Sequence, residues 1–240
     1  MDSLLIAIQF LTRIPVAQRP VIDDESLGGS VLYYPLVGFL IGVILNGLIM
    51  VLPAGSDAVT AALVLTAWIW MTGGLHLDGL ADCADACVGG LGDRERSLAI
   101  MKDPAAGPIA VVVLLLVLLL KWATLSVLLA QNNLIELMMI PLLGRSAILL
   151  LMLSTPYVRP QGMAEKLLQH MPVREARWVM VFSLFFVAFF MGAAHVLLAG
   201  MAVLWVRYAA MERLGGVTGD VYGAAVEIVE TVALLAVTLL

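Results

Sequence analysis

Charge is what this chain has least of. Only 13% of its 240 residues are Asp, Glu, Lys or Arg, about half the share of an ordinary soluble domain, while 62% are apolar and the mean hydropathy is +1.04. That balance excludes a water-soluble globule and points to a membrane protein. Basic residues are scarcer than acidic ones, 13 against 18, giving a net charge of −5 and a pI near 5.1. No basic face is available for a nucleic-acid partner. There are two cysteines, Cys83 and Cys87, one helical turn apart, so no disulfide framework is expected. Long linkers, repeats and low-complexity tracts are absent as well, and the expectation is one integral membrane domain over residues 1–240. Met1 to Phe10 has neither a basic lead nor a cleavage site after a long apolar stretch, and is not read as a signal peptide.

The long apolar runs predict an all-α polytopic protein of about seven transmembrane helices, each needing about 20 residues. The expected spans are Val31 to Leu52, Ala58 to Leu75, Ile109 to Ala130, Leu134 to Leu153, Val173 to Gly192, His195 to Arg213 and Val221 to Leu240. The fifth and sixth come from splitting one overlong run at Gly192. With the N-terminus inside, Arg13, Arg19, Arg94, Arg96, Lys102, Arg159, Lys166, Arg174, Arg177, Arg207 and Arg213 fall on the cytoplasmic side, as the positive-inside rule requires. A single unsplit span would instead put Gly215 to Asp220 outside. Ser3 to Thr12 reads as a short interfacial segment and Pro20 to Ser30 as a solvated loop.

Against this apolar background, polar residues stand out. G-G-L-H-L-D-G-L-A-D-C-A-D, Gly73 to Asp85, carries Asp78, Asp82 and Asp85 at i, i+4 and i+7. At about 100° per residue they lie within roughly 60° on one helix face. Crowded carboxylates repel unless a cation sits among them, and Mg2+ suits such hard oxygen ligands. His76, two residues before, has the right pKa class for a proton acceptor, and equally suits a cap or a supporting position. Downstream, Asp93, Arg94, Glu95, Arg96, Lys102 and Asp103 mix both signs on what is expected to be a cytoplasmic surface. Carboxylates for a metal beside cations for phosphate oxygens suit phosphoryl transfer; for D-R-E-R a plain solvated surface is an equal reading.

A second constellation, G-G-V-T-G-D-V-Y-G-A, Gly215 to Ala224, opens the last span. Gly215, Gly216, Thr218 and Gly219 suit the close approach of an anion to backbone N–H groups, or a tight turn capped by Thr218 or Asp220. Asp220 and Glu227, seven residues apart, share a face, and Glu227 and Glu230 are acidic groups inside an apolar run. Arg145 lies within the fourth span and requires an anionic partner or a path to the interface. Lys121 is also intramembrane, and its partner is not legible from the sequence. Arg159, in Y-V-R-P-Q-G, leaves the fourth span on the same side as the aspartates.

F-L-T-R-I-P-V near the start, Y-Y-P-L-V-G from Tyr33, the aspartate motif from Gly73, I-M-K-D from Ile100, G-R at Gly144 and G-G-V-T-G-D-V-Y-G-A from Gly215 occur in an order that resembles the cobalamin 5′-phosphate synthase family, the adenosylcobinamide-GDP ribazoletransferases. The resemblance covers nearly the whole chain. It implies a multi-pass enzyme of the bacterial inner membrane, surrounded by lipid and compatible with a homo-oligomer, that joins adenosylcobinamide-GDP to α-ribazole or its 5′-phosphate with Mg2+ and releases GMP. After I-M-K-D the chain continues Pro104, Ala105, Ala106, Gly107, where the family pattern has a basic R-I-G-like turn. On this reading Asp78, Asp82, Asp85, Asp220 and Glu227 serve the metal. His76, Asp82 and Lys102 serve catalysis, while Arg96, Asp103, Arg145, Arg159, Gly215, Gly216, Thr218 and Gly219 serve substrate binding. The alternatives are a CDP-alcohol phosphotransferase, whose signature begins D-G-x-x-A-R where this chain has Asp82 in place of the alanine and whose distal G-x-x-x-D-x-x-x-D is missing here, and a secondary transporter, for which two homologous halves would be expected.

Overall fold

The computed structural model describes residues 2–16, 23–53, 55–159 and 163–240. Arg19, the start of the expected loop from Pro20, and the end of Y-V-R-P-Q-G from Pro160 lie outside them. The described chain is all-α: α1 (Asp2–Leu11), α2 (Asp24–Gly29), a 3-10 turn (Ser30–Tyr33), α3 (Tyr34–Val51), α4 (Asp57–Thr72), α5 (Leu75–Gly89), α6 (Arg94–Ile100), α7 (Pro108–Ala130), α8 (Leu134–Ser154), α9 (Met163–Gln169), α10 (Val173–Met191), α11 (Ala193–Leu214) and α12 (Gly219–Leu239). α2 replaces much of the expected solvated loop. Asp23 starts it, its carboxylate accepting a hydrogen bond from Ser26 N at 2.7 Å.

Among the described residues five helical stretches are long and apolar enough to cross a membrane, Asp24–Val51, Pro108–Ala130, Leu134–Ser154, Ala193–Leu214 and Gly219–Leu239, or six if α4 and α5 are joined. The protein is multi-pass, with five or six spans of this length and apolarity among the described residues against the seven expected. α4 has only 16 residues before Gly73 and Gly74, at φ +64° and +71°, turn the chain by 87° into α5; positive φ at successive residues is what glycine permits. α5, polar along one face, is therefore not a crossing helix in its own right. α10 begins V-R-E-A-R, whose charges take it out of the apolar set. It is separated from α11 by Gly192 alone, at φ +89°.

α8 and α12 form the centre, 78% and 72% buried over their apolar stretches, against 22% for α7 and 28% for α11. The outward rows of α7, such as Val111, Leu115 and Leu119, remain exposed, as a lipid-facing surface must. Close approach of helices depends on small residues: a Cβ at Gly38 would lie 2.8 Å from the Cα of Leu142, and one at Gly42 would lie 2.5 Å from that of Met138. α3 therefore packs backbone to backbone on α8.

Buried charges tie the remaining helices together. Lys121 Nζ on α7 donates at 2.6 Å to both Glu227 and Glu230 on α12 and sits 5.0 Å from the Trp68 ring centroid on α4. Arg145 on α8 pairs with Glu230, and its Nη2 lies 3.4 Å from His76 Nδ1 on α5. Gly144 makes room, since a Cβ there would stand 2.9 Å from the Glu230 side chain. Two cations and two carboxylates thus balance inside the bundle, where an unpaired charge is expensive.

Candidate active site

The site forms where α5 crosses the start of α12. Gly79 is buried against α12, where a Cβ would come within 2.6 Å of the Asp220 carbonyl oxygen. Gly223 answers from the other helix, 3.1 Å from the carbonyl of His76 by the same measure. Two glycines therefore bring the aspartate face of α5 to the T-G-D turn, which places both motifs on one side of the bundle. Asp82, one turn along α5 from Asp78, shows the result electrostatically. Burial, then the carboxylates of Asp220 and Asp78, push its carboxyl up to about 6 against the opposing pull of Arg159.

A second junction fixes the turn. Val158 N donates to Val217 O and Val217 N donates to Pro156 O, both at 2.9 Å, a short parallel bridge between Tyr157 and Val217. It sets Arg159 Nη1 3.0 Å from Asp220 Oδ2. Gly216 is packed against the Pro156 carbonyl, and Gly215 closes α11 at φ +73°. Thr218 caps α12, accepting from Val221 N at 3.3 Å, and its hydroxyl also reaches Asp220 Oδ2 at 3.3 Å. A Cβ on Gly219 would meet open space.

A cavity of about 400 Å³ opens here, with His76, Asp78, Arg159, Gly219 and Asp220 on its wall. Four aromatic residues line it as two stacked pairs: Phe10 on Tyr34, centroids 6.0 Å apart, and Tyr157 on Tyr222, 6.4 Å apart. Sequence reasoning assigned no role to these rings. Tyr157 and Tyr222 both lie inside motifs dominated by charges and glycines. A neighbouring cavity of about 640 Å³ shares Phe10, Leu75 and Asp78 with the first, and has Thr12, Arg13 and the Gly73–Gly74 bend on its far side.

The other expected residues have different surroundings. Asp85 turns to α7, its two oxygens accepting from Gly107 N at 2.5 Å and Ala110 N at 2.9 Å, so it caps that helix. Glu227 is held by Lys121, and Arg145 by Glu230. Arg96 is exposed on α6, whose first turn Asp93 caps through Arg96 N at 3.0 Å. Lys102 and Asp103 are exposed in the following turn, where Asp103 accepts from Ala105 N at 3.0 Å. None of Arg96, Lys102 and Asp103 lines the first cavity. Cys83 and Cys87 are free thiols beside an apolar groove between α5, α7 and α11.

Among the described residues no three His, Cys, Asp or Glu side chains already converge as a finished metal site. The donor chemistry nevertheless fits a hard divalent ion: Asp78, Asp82 and Asp220 are all-oxygen donors, burial and then their mutual repulsion raise Asp82, and a cation among them would relieve the repulsion.

Comparison with known proteins bears on the whole chain. A family model described as cobalamin-5-phosphate synthase matches residues 3–238. A Pseudomonas aeruginosa protein named adenosylcobinamide-GDP ribazoletransferase is 49% identical over 239 residues, covering 99% of this chain and 98% of its own. A protein of the same name from Pseudomonas putida is 49% identical over 234 residues, covering 98% and 97%. No solved structure matches. With the family match running almost end to end and the aspartate and T-G-D motifs meeting at one cavity, this chain belongs to the cobalamin-5-phosphate synthase family.

Proposed function

We propose that this protein joins adenosylcobinamide-GDP to α-ribazole or its 5′-phosphate, releasing GMP, as a late step of cobalamin assembly at the bacterial inner membrane. The observation that carries the reading is the crossing at Gly79 and Gly223. It gathers Asp78, Asp82, Asp220 and Arg159, from three separated parts of the chain, in one neighbourhood. A ribose hydroxyl of the ribazole attacks the phosphorus attached to cobinamide. The new P–O bond forms as the pyrophosphate P–O bond breaks, and GMP leaves with that bond's electron pair.

Asp78, Asp82 and Asp220 are the residues that would hold Mg2+, which when bound supplies charge neutralisation at the pyrophosphate oxygens. On this reading the hydroxyl proton goes to His76 or to whichever of these carboxylates the metal leaves free. Arg159 orients Asp220 and presents positive charge to a phosphate. Lys102 and Arg96, exposed beyond α5, draw the anionic substrate towards the opening. Asp85 and Glu227 act one step back, Asp85 by fixing α7 to α5 and Glu227 through Lys121.

The test is direct. Detergent-solubilised protein with adenosylcobinamide-GDP, α-ribazole and Mg2+ is expected to release GMP in step with a cobalamin product. Intact substrate after prolonged incubation with folded protein overturns the reading.

A further inference from the structure

We propose that the cavity between α5 and α12 is a guanine-reading pocket, with His76 and Tyr222 as its specificity-determining residues. The inference rests on the transferase reading above, in which the leaving group is GMP.

Among the buried polar atoms on the wall that make no hydrogen bond, Tyr34 Oη included, two belong to the crossing helices. His76 is 3% exposed and Tyr222 5%, both line the cavity, and neither His76 Nε2 nor Tyr222 Oη makes a hydrogen bond. Groups so deeply buried are ordinarily paired, and leaving them bare is costly. A base that offers a hydrogen-bonding edge removes that cost; a base without one keeps it.

The polarity of the histidine follows from its neighbour. Arg145 Nη2 lies 3.4 Å from His76 Nδ1, and a guanidinium only donates, so Nδ1 is the accepting nitrogen. The neutral ring then carries its proton on Nε2, which is a donor. Glu230 in turn holds Arg145, so the buried ion network fixes which face of the imidazole looks for an acceptor. Guanine presents O6 and N7, both acceptors, whereas adenine presents an amino group where O6 would be. The Tyr222 hydroxyl donates or accepts, and suits the 2-amino group that distinguishes guanine from hypoxanthine. The stacked rings of Tyr157 on Tyr222 and Phe10 on Tyr34 supply the flat apolar surfaces on which a purine rests. Arg159 and Asp220 share this wall, where the attached phosphates would emerge.

Equilibrium dialysis of radiolabelled GMP on the full-length solubilised protein, competed by unlabelled GMP, IMP and AMP with Mg2+ present, tests the pocket without turnover. AMP is expected to compete at least about tenfold less well than GMP, the scale of one hydrogen bond gained or lost in a buried site. In His76→Gln, whose amide offers either a donor or an acceptor, the GMP/AMP ratio falls towards one. In Tyr222→Phe, which keeps the ring, the GMP/IMP ratio falls. Equal competition by all three nucleotides in the wild type, or unchanged ratios in a folded Tyr222→Phe protein, overturns the inference. If adenosylcobinamide-GDP is still converted under those conditions, the transferase reading survives and the pocket alone fails. If ribazole displaces GMP from this cavity while AMP and GMP are indistinguishable, the pocket belongs to the other substrate.

Discussion

Replacing Lys121 with methionine is the sharpest test of what holds the bundle together. Lys121 Nζ is 2.6 Å from a carboxylate oxygen of both Glu227 and Glu230, and each contact is worth about 6 kcal/mol at an effective dielectric near 20 before desolvation is subtracted. Methionine fills the same volume but removes the charge, and Arg145 still neutralises Glu230. Glu227 is left as a buried carboxylate without a cation. Stranding one member of a buried pair costs about 3–5 kcal/mol, which for a chain of this length is a fall of roughly 6–20 °C in the unfolding midpoint. Thermal unfolding in detergent, followed by tryptophan fluorescence, is a suitable assay because Trp68 lies under the lysine. Lys121→Met combined with Glu227→Gln removes the stranded charge and is expected to recover most of the loss, so the double-mutant cycle gives a coupling above about 1 kcal/mol. A single variant that melts within 2 °C of wild type, the scale of measurement error and about 1 kcal/mol, refutes the argument that this network is energetically coupled.

Three further outcomes follow from the site. Asp82→Asn keeps size and shape while removing charge, and turnover is expected to drop at least about 100-fold, as for loss of a group acting in the transition state, with membrane insertion unchanged by fractionation. Because Asp82 is raised to about 6, it protonates as pH falls through that value; divalent affinity, read by Mn2+ titration, should weaken about tenfold per pH unit below 6 and lose that limb in Asp82→Asn. Gly79→Ala places a methyl group 2.6 Å from the Asp220 carbonyl. Backbone cannot yield there, and the expected result is a loss of about 1–3 kcal/mol together with loss of GMP release, checked by melting and by assay.

Much of the scaffold was legible because its cause is local. Runs such as Ile109 to Ala130 become helices in any apolar surroundings, and three aspartates at i, i+4 and i+7 share a face wherever α5 packs. The polar composition of D-D-E-S reads as a solvated loop, yet Asp23 caps α2 there. The expected second and fifth spans fall outside the long apolar set for different reasons: consecutive glycines end α4 early, and arginines and a glutamate occupy the first turns of α10. The site was less legible than the scaffold. Lys121 meets Glu227 across 106 positions, a pairing with no periodicity to betray it. Tyr157 and Tyr222 meet only because main-chain bonds between two loops bring them together. Asp85 illustrates the converse, since spacing alone puts it with Asp78 and Asp82, and only the position of α7 shows that its oxygens are engaged by backbone amides.

The short bridge between Tyr157 and Val217 is made entirely of peptide groups, so the latch joining these loops is indifferent to the side chains it carries. The Tyr157 ring is thereby released from fastening the loops: a lineage or a designer can exchange it to retune what enters the cavity while the peptide latch and the Arg159–Asp220 pair stay in place.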